Sequence, residues 1–510
     1  MKRLFKKISS FNFEVIFFVK YFLPKNMQNK ILQLISFWQK LKIIFQFKAH
    51  DVSTVEGTSN ERYRRILITG SSTAVVKLIS AFINLITVPL TVHYLGAERY
   101  GLWMAISSTL ALMSFADLGL GNGLLNAVSK ANGRKSVNDA QVAVSSTFFI
   151  LLGIALFLFI LFISIYPFIS WEHVFNVKSG IAIHESGPTM LAMVIMLLIN
   201  MPLGIIQRIQ DGYQEGYRFQ FWLILGSLLS FLGILLCIYF KSSLVWLVLA
   251  FSGGQLIATI LNGVLLFNRK RQNLKPKLKY FNLVIGKQLI SSGLVFFLLG
   301  LFTLLGNTSD DIIIAQTLGA SAVAGYEIVK KVFLFSMFTQ FIIQPLWPAF
   351  AEAMESGDIM WAKNTLKKGL LLSILSGAII TLPLVIFGKQ LIQLWVGAKF
   401  VPSWSLLIGF YAFVFISNYG GVMSTFLNSG PLLAKQLLVV GLSSITAVLL
   451  KIYFSLNFGV SGIIWATVLS YSVFYIIPSY RLAFNYLNKF EQKKKNINNQ
   501  VLSDIGTLSE

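Results

Sequence analysis

Uninterrupted apolar runs of about 20 residues recur from one end of this chain to the other, and each is long enough to cross a bilayer as an α-helix. That excludes a soluble enzyme. Only 12% of the 510 residues are charged against 55% apolar, where an ordinary globular domain carries about 25% charged residues. Twelve spans are read at Leu67 to Val92, Leu102 to Leu125, Val142 to Phe168, Met190 to Ile209, Phe221 to Phe240, Leu244 to Phe267, Leu289 to Ile314, Val323 to Leu346, Leu366 to Phe387, Trp404 to Phe426, Leu432 to Phe454 and Val460 to Leu482. The runs are too long and continuous for the alternating pattern of a membrane β-barrel, so the fold class is an all-α polytopic membrane protein.

The formal charge is +23, from 43 Lys and Arg against 20 Asp and Glu. In a soluble protein this would suggest nucleic acid. In a membrane protein it first reports topology, because basic residues gather in cytoplasmic segments. With the amino terminus inside, the inner segments hold Lys130, Arg134, Lys135, Arg208, Arg218, the run from Arg269 to Lys287, Lys363, Lys367, Lys368, Lys435, Arg481 and Lys489 to Lys495. The outer loops hold only Arg99, Lys178, Lys241, Lys389 and Lys399. Both termini are therefore expected in the cytoplasm, and no nucleic-acid partner is needed.

Residues 1–65 form a basic leader, with ten Lys and Arg from Met1 to Lys48 against the single acid Glu14. Its best apolar stretch, Phe11 to Leu23, is too short to span and is followed by no small-residue cleavage site. From Ile31 the stripe Ile31, Leu34, Ile35, Trp38, Leu41 and Phe45 suits an amphipathic helix on an anionic leaflet; a leader that only sets orientation is the alternative. The expected organisation continues with an N-terminal six-helix half (66–267), a basic cytoplasmic linker (268–288), a C-terminal six-helix half (289–483) and a polar cytoplasmic tail (484–510).

An internal repeat supports the two halves. Tyr94-Leu95-Gly96 through Leu102 is echoed by Thr317-Leu318-Gly319 through Tyr326, at an offset of about 223 residues. Near that offset Tyr166 to Trp171 matches Phe387 to Trp395, and Val245-Trp246 matches Ile464-Trp465. Six spans per half give both copies one orientation, as parallel repeats around a central cleft, an architecture suited to alternating access.

The motifs Tyr94-Leu95-Gly96 to Tyr100-Gly101-Leu102, Asp117-Leu118-Gly119-Leu120-Gly121 with Asn126-Ala127, and Asp311-Ile312-Ile313-Ile314 with Leu318-Gly319 and Gly325-Tyr326 resemble the Wzx-type polysaccharide flippases. That family lies within the MATE-like MOP superfamily. The resemblance covers about Arg65 to Tyr486; the long leader departs from the usual pattern. It implies a transporter of the bacterial cytoplasmic membrane that moves an oligosaccharide, linked through (pyro)phosphate to an isoprenoid, to the outer leaflet for surface polysaccharide synthesis. The implied partners are that lipid-linked oligosaccharide, membrane lipids, a coupling H⁺ or Na⁺ and other polysaccharide-assembly proteins.

Such a substrate needs a polar path for an anionic head through about 30 Å of hydrocarbon. Ionisable residues within spans are the candidates, since each costs about 2.5–3.5 kcal/mol at a helix centre on insertion scales. Lys77 lies near the middle of the first span; Glu327, Lys330 and Lys331 lie in the eighth, where Glu327 can pair with either lysine. Lys77, Lys330 and Lys331 are the expected substrate-phosphate contacts, and Asp311 and Glu327 the ion-coupling carboxylates. The structural alternative pairs Glu327 with Lys331 and lets Lys330 snorkel. Asp311 is favoured over Asp310, Asp117 is read as a turn or cap, and Lys451 is expected to snorkel. A lone Cys237 and four scattered histidines leave no metal site, and no Walker loop or nucleophile elbow occurs, so neither cofactor nor enzymatic activity is expected.

Two competing readings stay open. A MATE-like ion-coupled exporter of small amphipathic cations would favour an acid-dominated cavity, whereas the lysines outnumber Glu327 and Asp311. An integral membrane enzyme of polysaccharide assembly would favour a large polar loop, and the longest outer loop, Ser170 to Thr189, is short.

Overall fold

The computed structural model describes residues 53–112, 117–175, 177–318, 320–333, 338–396, 401–490 and 492. The amphipathic stripe from Ile31 to Phe45 and residues 493–510 of the tail lie outside them. Packing divides the chain into Met1–Ile68 and Thr69–Glu510. In the described part of the first unit, Glu61 holds Arg64 at 2.7 Å and Arg65 at 2.8 Å, one helical turn away.

The described residues are helical with short connections. The helices are α1 (Val55–Leu112), α2 (Leu120–Gly133), α3 (Val137–Ile165), α4 (Gly180–Leu203), α5 (Ile205–Gly212), α6 (Gly216–Tyr239) and α7 (Leu244–Leu265). After the linker come α8 (Leu283–Leu318), α9 (Ala320–Phe333), α10 (Phe338–Ile343), α11 (Leu346–Glu355), α12 (Ile359–Ile386), α13 (Gly388–Val396), α14 (Trp404–Ser429) and α15 (Leu433–Tyr471).

Nine of the described helical runs are long and apolar enough to cross a membrane. The chain is a multi-pass membrane protein, and its geometry accounts for the three further crossings expected. The run Leu433–Phe490 counts twice, because the backbone leaves the helix at Gly459 with φ 62°, and Ser470 on the second limb donates to the Ser443 carbonyl on the first at 2.7 Å. The second and eighth crossings are broken. In the second, Leu118 at φ 50° and Gly119 at φ 72° interrupt the helix before α2, and Asp117 closes the turn by accepting from the Gly119 N–H at 2.9 Å. Asp117 thus has the turn role, one of the two its position suggested. In the eighth, the described break is at Gln344 and Pro345, between α10 and α11.

Three boundaries move. Residues 180–189, expected as outer loop, form the start of α4, capped by the Ser179 hydroxyl. The final helical run extends to Phe490 with Leu487 buried, past the expected end at Leu482. The linker is anchored, since the Arg271 guanidinium stacks 3.7 Å over the Tyr213 ring and Asn282 N–H donates to Ser146 at 3.0 Å.

Lys130, Arg134 and Arg271 mark one end of the bundle as basic, and there the two halves meet. Trp347 of α11 donates to Asn126 of α2 at 2.7 Å, Asn126 donates to the Asn428 carbonyl at 2.6 Å, and Arg134 pairs with Glu355 at 2.5 Å. Gln214 adds a hydrogen bond to Glu352. Two of these contacts, Asn126 with Trp347 and Arg134 with Glu355, join residues 221 apart, close to the repeat offset. Together these contacts form a seam between α2 and α11.

At the opposite end the N-terminal half is tied together internally. The Glu185 carboxylate of α4 receives Arg99 in a two-pronged pair at 2.6 Å and also accepts from the Leu244 N–H at 2.9 Å. Glu98 accepts from the Lys178 N–H at 2.5 Å, and that bond, with those from Ser179, holds its carboxyl below the usual range. Glu185→Ala leaves Arg99 unpaired in a mostly buried site and is expected to destabilise the protein by about 3 kcal/mol. Thermal unfolding in detergent checks this, with Glu98→Gln as the milder comparison.

Candidate functional site

The C-terminal half carries the ionic cluster. Consecutive residues on a helix point about 100° apart, so Asp310 and Asp311 on α8 serve different surroundings. Asp311 faces α9, where its carboxylate lies 3.9 Å from the Lys330 ammonium and adjoins the Glu327 carboxylate. Glu327 binds Lys330 at 2.6 Å, three residues on and one turn away. The Glu327 side chain is 29% exposed and that of Lys330 31%, so the cluster is partly open rather than sealed.

These contacts decide between the two pairings open in the sequence. Lys330 is the partner of Glu327, and Lys331, pointing about 100° away, is exposed. Three of the five candidate residues, Asp311, Glu327 and Lys330, come together, and Lys331 is beside them. Lys77 lies on α1 in the other half, exposed next to the exposed Val75 and Leu78, and none of the described contacts joins it to the cluster.

Two further residues lie deeper. Asp310 is 6% exposed and Lys451 on α15 is fully buried, with their charged atoms 2.5 Å apart. The expectation that Lys451 snorkels is overturned, because a carboxylate on a neighbouring helix meets the ammonium inside the bundle. Tyr326, fully buried, donates its hydroxyl to the second Asp310 oxygen at 2.6 Å. The available signal was the pair of adjacent aspartates in one span and a lysine among Leu449, Leu450 and Ile452 in another.

Most Ser and Thr of the spans bond back to their own helix, while several amide side chains bond helix to helix. Asn418 of α14 receives Thr339 at 2.7 Å and donates to the Ser373 carbonyl at 3.0 Å, while Gln210 and Asn262 exchange bonds at 2.8 and 3.1 Å. Among the described residues no group of His, Cys, Asp and Glu is arranged to hold a metal ion.

A bundle of membrane-spanning helices, sewn together at one end and carrying an ionic cluster in its C-terminal part, is the fold of a multi-pass membrane protein. The chain belongs to the polysaccharide biosynthesis protein family, whose model matches residues 68–354. A Salmonella typhi protein named for O-antigen transport is 24% identical over 435 residues, covering 82% of this chain and 96% of its own. A Yersinia pseudotuberculosis protein named for O-antigen export is 25% identical over 291 residues, covering 54% of this chain and 63% of its own.

Solved structures agree on the fold. An outward-facing multidrug resistance transporter of the MATE family and MOP superfamily superposes with a TM-score of 0.70 at 14% identity, over 84% of this chain and 96% of that one. A MOP superfamily transporter from Pyrococcus furiosus gives 0.70 at 14% identity over the same shares.

Proposed function

We propose that this protein is a flippase that carries an isoprenoid-(pyro)phosphate-linked oligosaccharide from the inner to the outer leaflet of a bacterial cytoplasmic membrane, for surface polysaccharide synthesis. The observation that carries the reading is the ionic cluster of Asp311, Glu327 and Lys330 inside a chain of the polysaccharide biosynthesis family. In this reading the basic end faces the cytoplasm, as the positive-inside rule requires, and both termini lie there. The seam from Asn126 to Glu355 then closes the cytoplasmic side of the path between the halves (66–267 and 289–483).

The cluster gives the mechanism its chemistry. Lys331 and Lys77 present exposed ammonium groups to the phosphate, and Lys330 joins them when it leaves its carboxylates. A proton or Na⁺ taken up by the adjoining Asp311 and Glu327 carboxylates replaces the departing ammonium, which couples ion and substrate at one place. No bond in the substrate is made or broken. Outward movement of a doubly charged head across an inside-negative membrane releases roughly 4.6 kcal/mol at about 100 mV, so voltage alone can drive it.

Deleting the protein tests this reading. Lipid-linked repeat units should accumulate on the cytoplasmic leaflet and surface glycan should fall; normal glycan without accumulation would sink the proposal. In proteoliposomes, Asp311→Asn with Glu327→Gln should remove any dependence of turnover on an H⁺ or Na⁺ gradient.

A further inference from the structure

Lys451 occupies the interior of the C-terminal half with no exposed surface. Its ammonium meets Asp310 Oδ1 at 2.5 Å, donates to the Gly306 carbonyl at 2.5 Å and reaches Ser309 Oγ at 3.3 Å. The ammonium thus has two hydrogen-bond acceptors, Gly306 and Ser309, and one carboxylate counter-charge, Asp310. With the Tyr326 hydroxyl on the other oxygen of Asp310, the contacts join α8, α9 and α15.

A buried ion pair is a poor way to hold helices together, because the loss of water offsets most of the attraction. The other half of the molecule shows that the architecture does without one. At repeat offsets of 219 to 223 residues, Lys451 corresponds to the stretch from Leu228 to Leu232 and Asp310 to the stretch from Thr87 to Thr91, and neither stretch has an ionisable side chain. There Ser230 of α6 instead donates to the Phe251 carbonyl of α7 at 2.6 Å. The charges of the C-terminal half therefore serve something other than packing.

Their role is set by the neighbour in sequence. Asp310 also attracts Lys330, which Asp311 and Glu327 already share. A third uncompensated carboxylate would draw that ammonium inward and bind it more tightly. We propose that Lys451 is a positioning residue for transport: it takes up the charge of Asp310, so that Lys330 stays at the partly open cluster where an anionic head group can reach it. This inference rests on the flippase reading for its substrate, and its first test is independent of that reading.

The first test measures Lys330 itself, by amine-selective acetylation of the full-length protein in lipid and mass spectrometry. Lys451→Met should slow Lys330 labelling about fivefold, and Asp310→Asn in the same chain should restore it. Unchanged Lys330 labelling in Lys451→Met, or failure of the double variant to restore it, would overturn the proposal. The second test is transport of lipid-linked oligosaccharide in proteoliposomes. Lys451→Met should raise KM about tenfold with kcat little changed, and the Asp310→Asn, Lys451→Met double variant should return KM to near the starting value. A fall in kcat at constant KM would assign the pair a purely structural role and also overturn the proposal. Absence of transport by the unaltered protein, with the labelling pattern as expected, would count against the flippase reading and leave the positioning role standing.

Discussion

Lys330→Met is expected to reduce export of the lipid-linked oligosaccharide by about 10- to 100-fold while the protein still reaches the membrane. The size reflects the interaction removed, a charge-assisted hydrogen bond worth about 1.5–3 kcal/mol, made while the head group is bound. Asp311 and Glu327 lose their shared cation in this variant, so part of the deficit comes from two carboxylates brought together without a counter-charge. Lys330→Arg separates the contributions. A guanidinium keeps the charge and binds carboxylates more rigidly, and it should recover membrane abundance fully and export only in part. Surface glycan, normalised to the amount of protein in the membrane, is the measurement. Export unchanged in Lys330→Met would remove Lys330 from the path of the substrate.

Gly119→Val is expected to be the most damaging single change in the N-terminal half. Gly119 sits at φ 72°, where a branched side chain is strained, and even a lone Cβ would run into the Gly293 carbonyl on α8. The reciprocal contact is also tight, since a Cβ on Gly293 would lie 2.8 Å from the Leu118 carbonyl. Strain of about 1–2 kcal/mol adds to overpacking of about 1–3 kcal/mol, for a combined loss of roughly 2–5 kcal/mol. Thermal unfolding in detergent should show it directly, with Gly153→Ala nearly neutral because nothing stands within 4 Å of a Cβ there. The same substitution should hold the halves apart at the seam and raise the reactivity of a cysteine placed at Asn126.

The spans were legible because hydrocarbon demands one composition over one length. The Glu327 and Lys330 contact was legible as a spacing on one helix, although spacing alone left Lys331 as an equal partner for Glu327. The role of Lys451 was not, since snorkelling or pairing depends on whether a carboxylate waits on another helix, and a sequence carries no statement of which helices adjoin. The breaks in the second and eighth crossings were hidden for a related reason. Leu118 at φ 50° is an unusual place for a leucine, held there by the close approach of Gly119 and Gly293. The helical start of α4 was missed because Ser179 to Thr189 is too polar on average to look like a crossing, while its serine cap and buried residues make it one continuous helix as far as Leu203.

The seam between α2 and α11 bears on whether the two parts of the chain could stand in for each other. Where equivalent residues face each other, a pair of identical halves would set Arg134 against a second Arg134, or Glu355 against a second Glu355. Asn126 and Trp347 are likewise an acceptor and its donor, a relation that two tryptophans, which carry only donors, would not reproduce. The seam is therefore asymmetric, each side carrying the partner that the other lacks. If the halves are produced as separate chains, each should recognise the other and refuse its own copy.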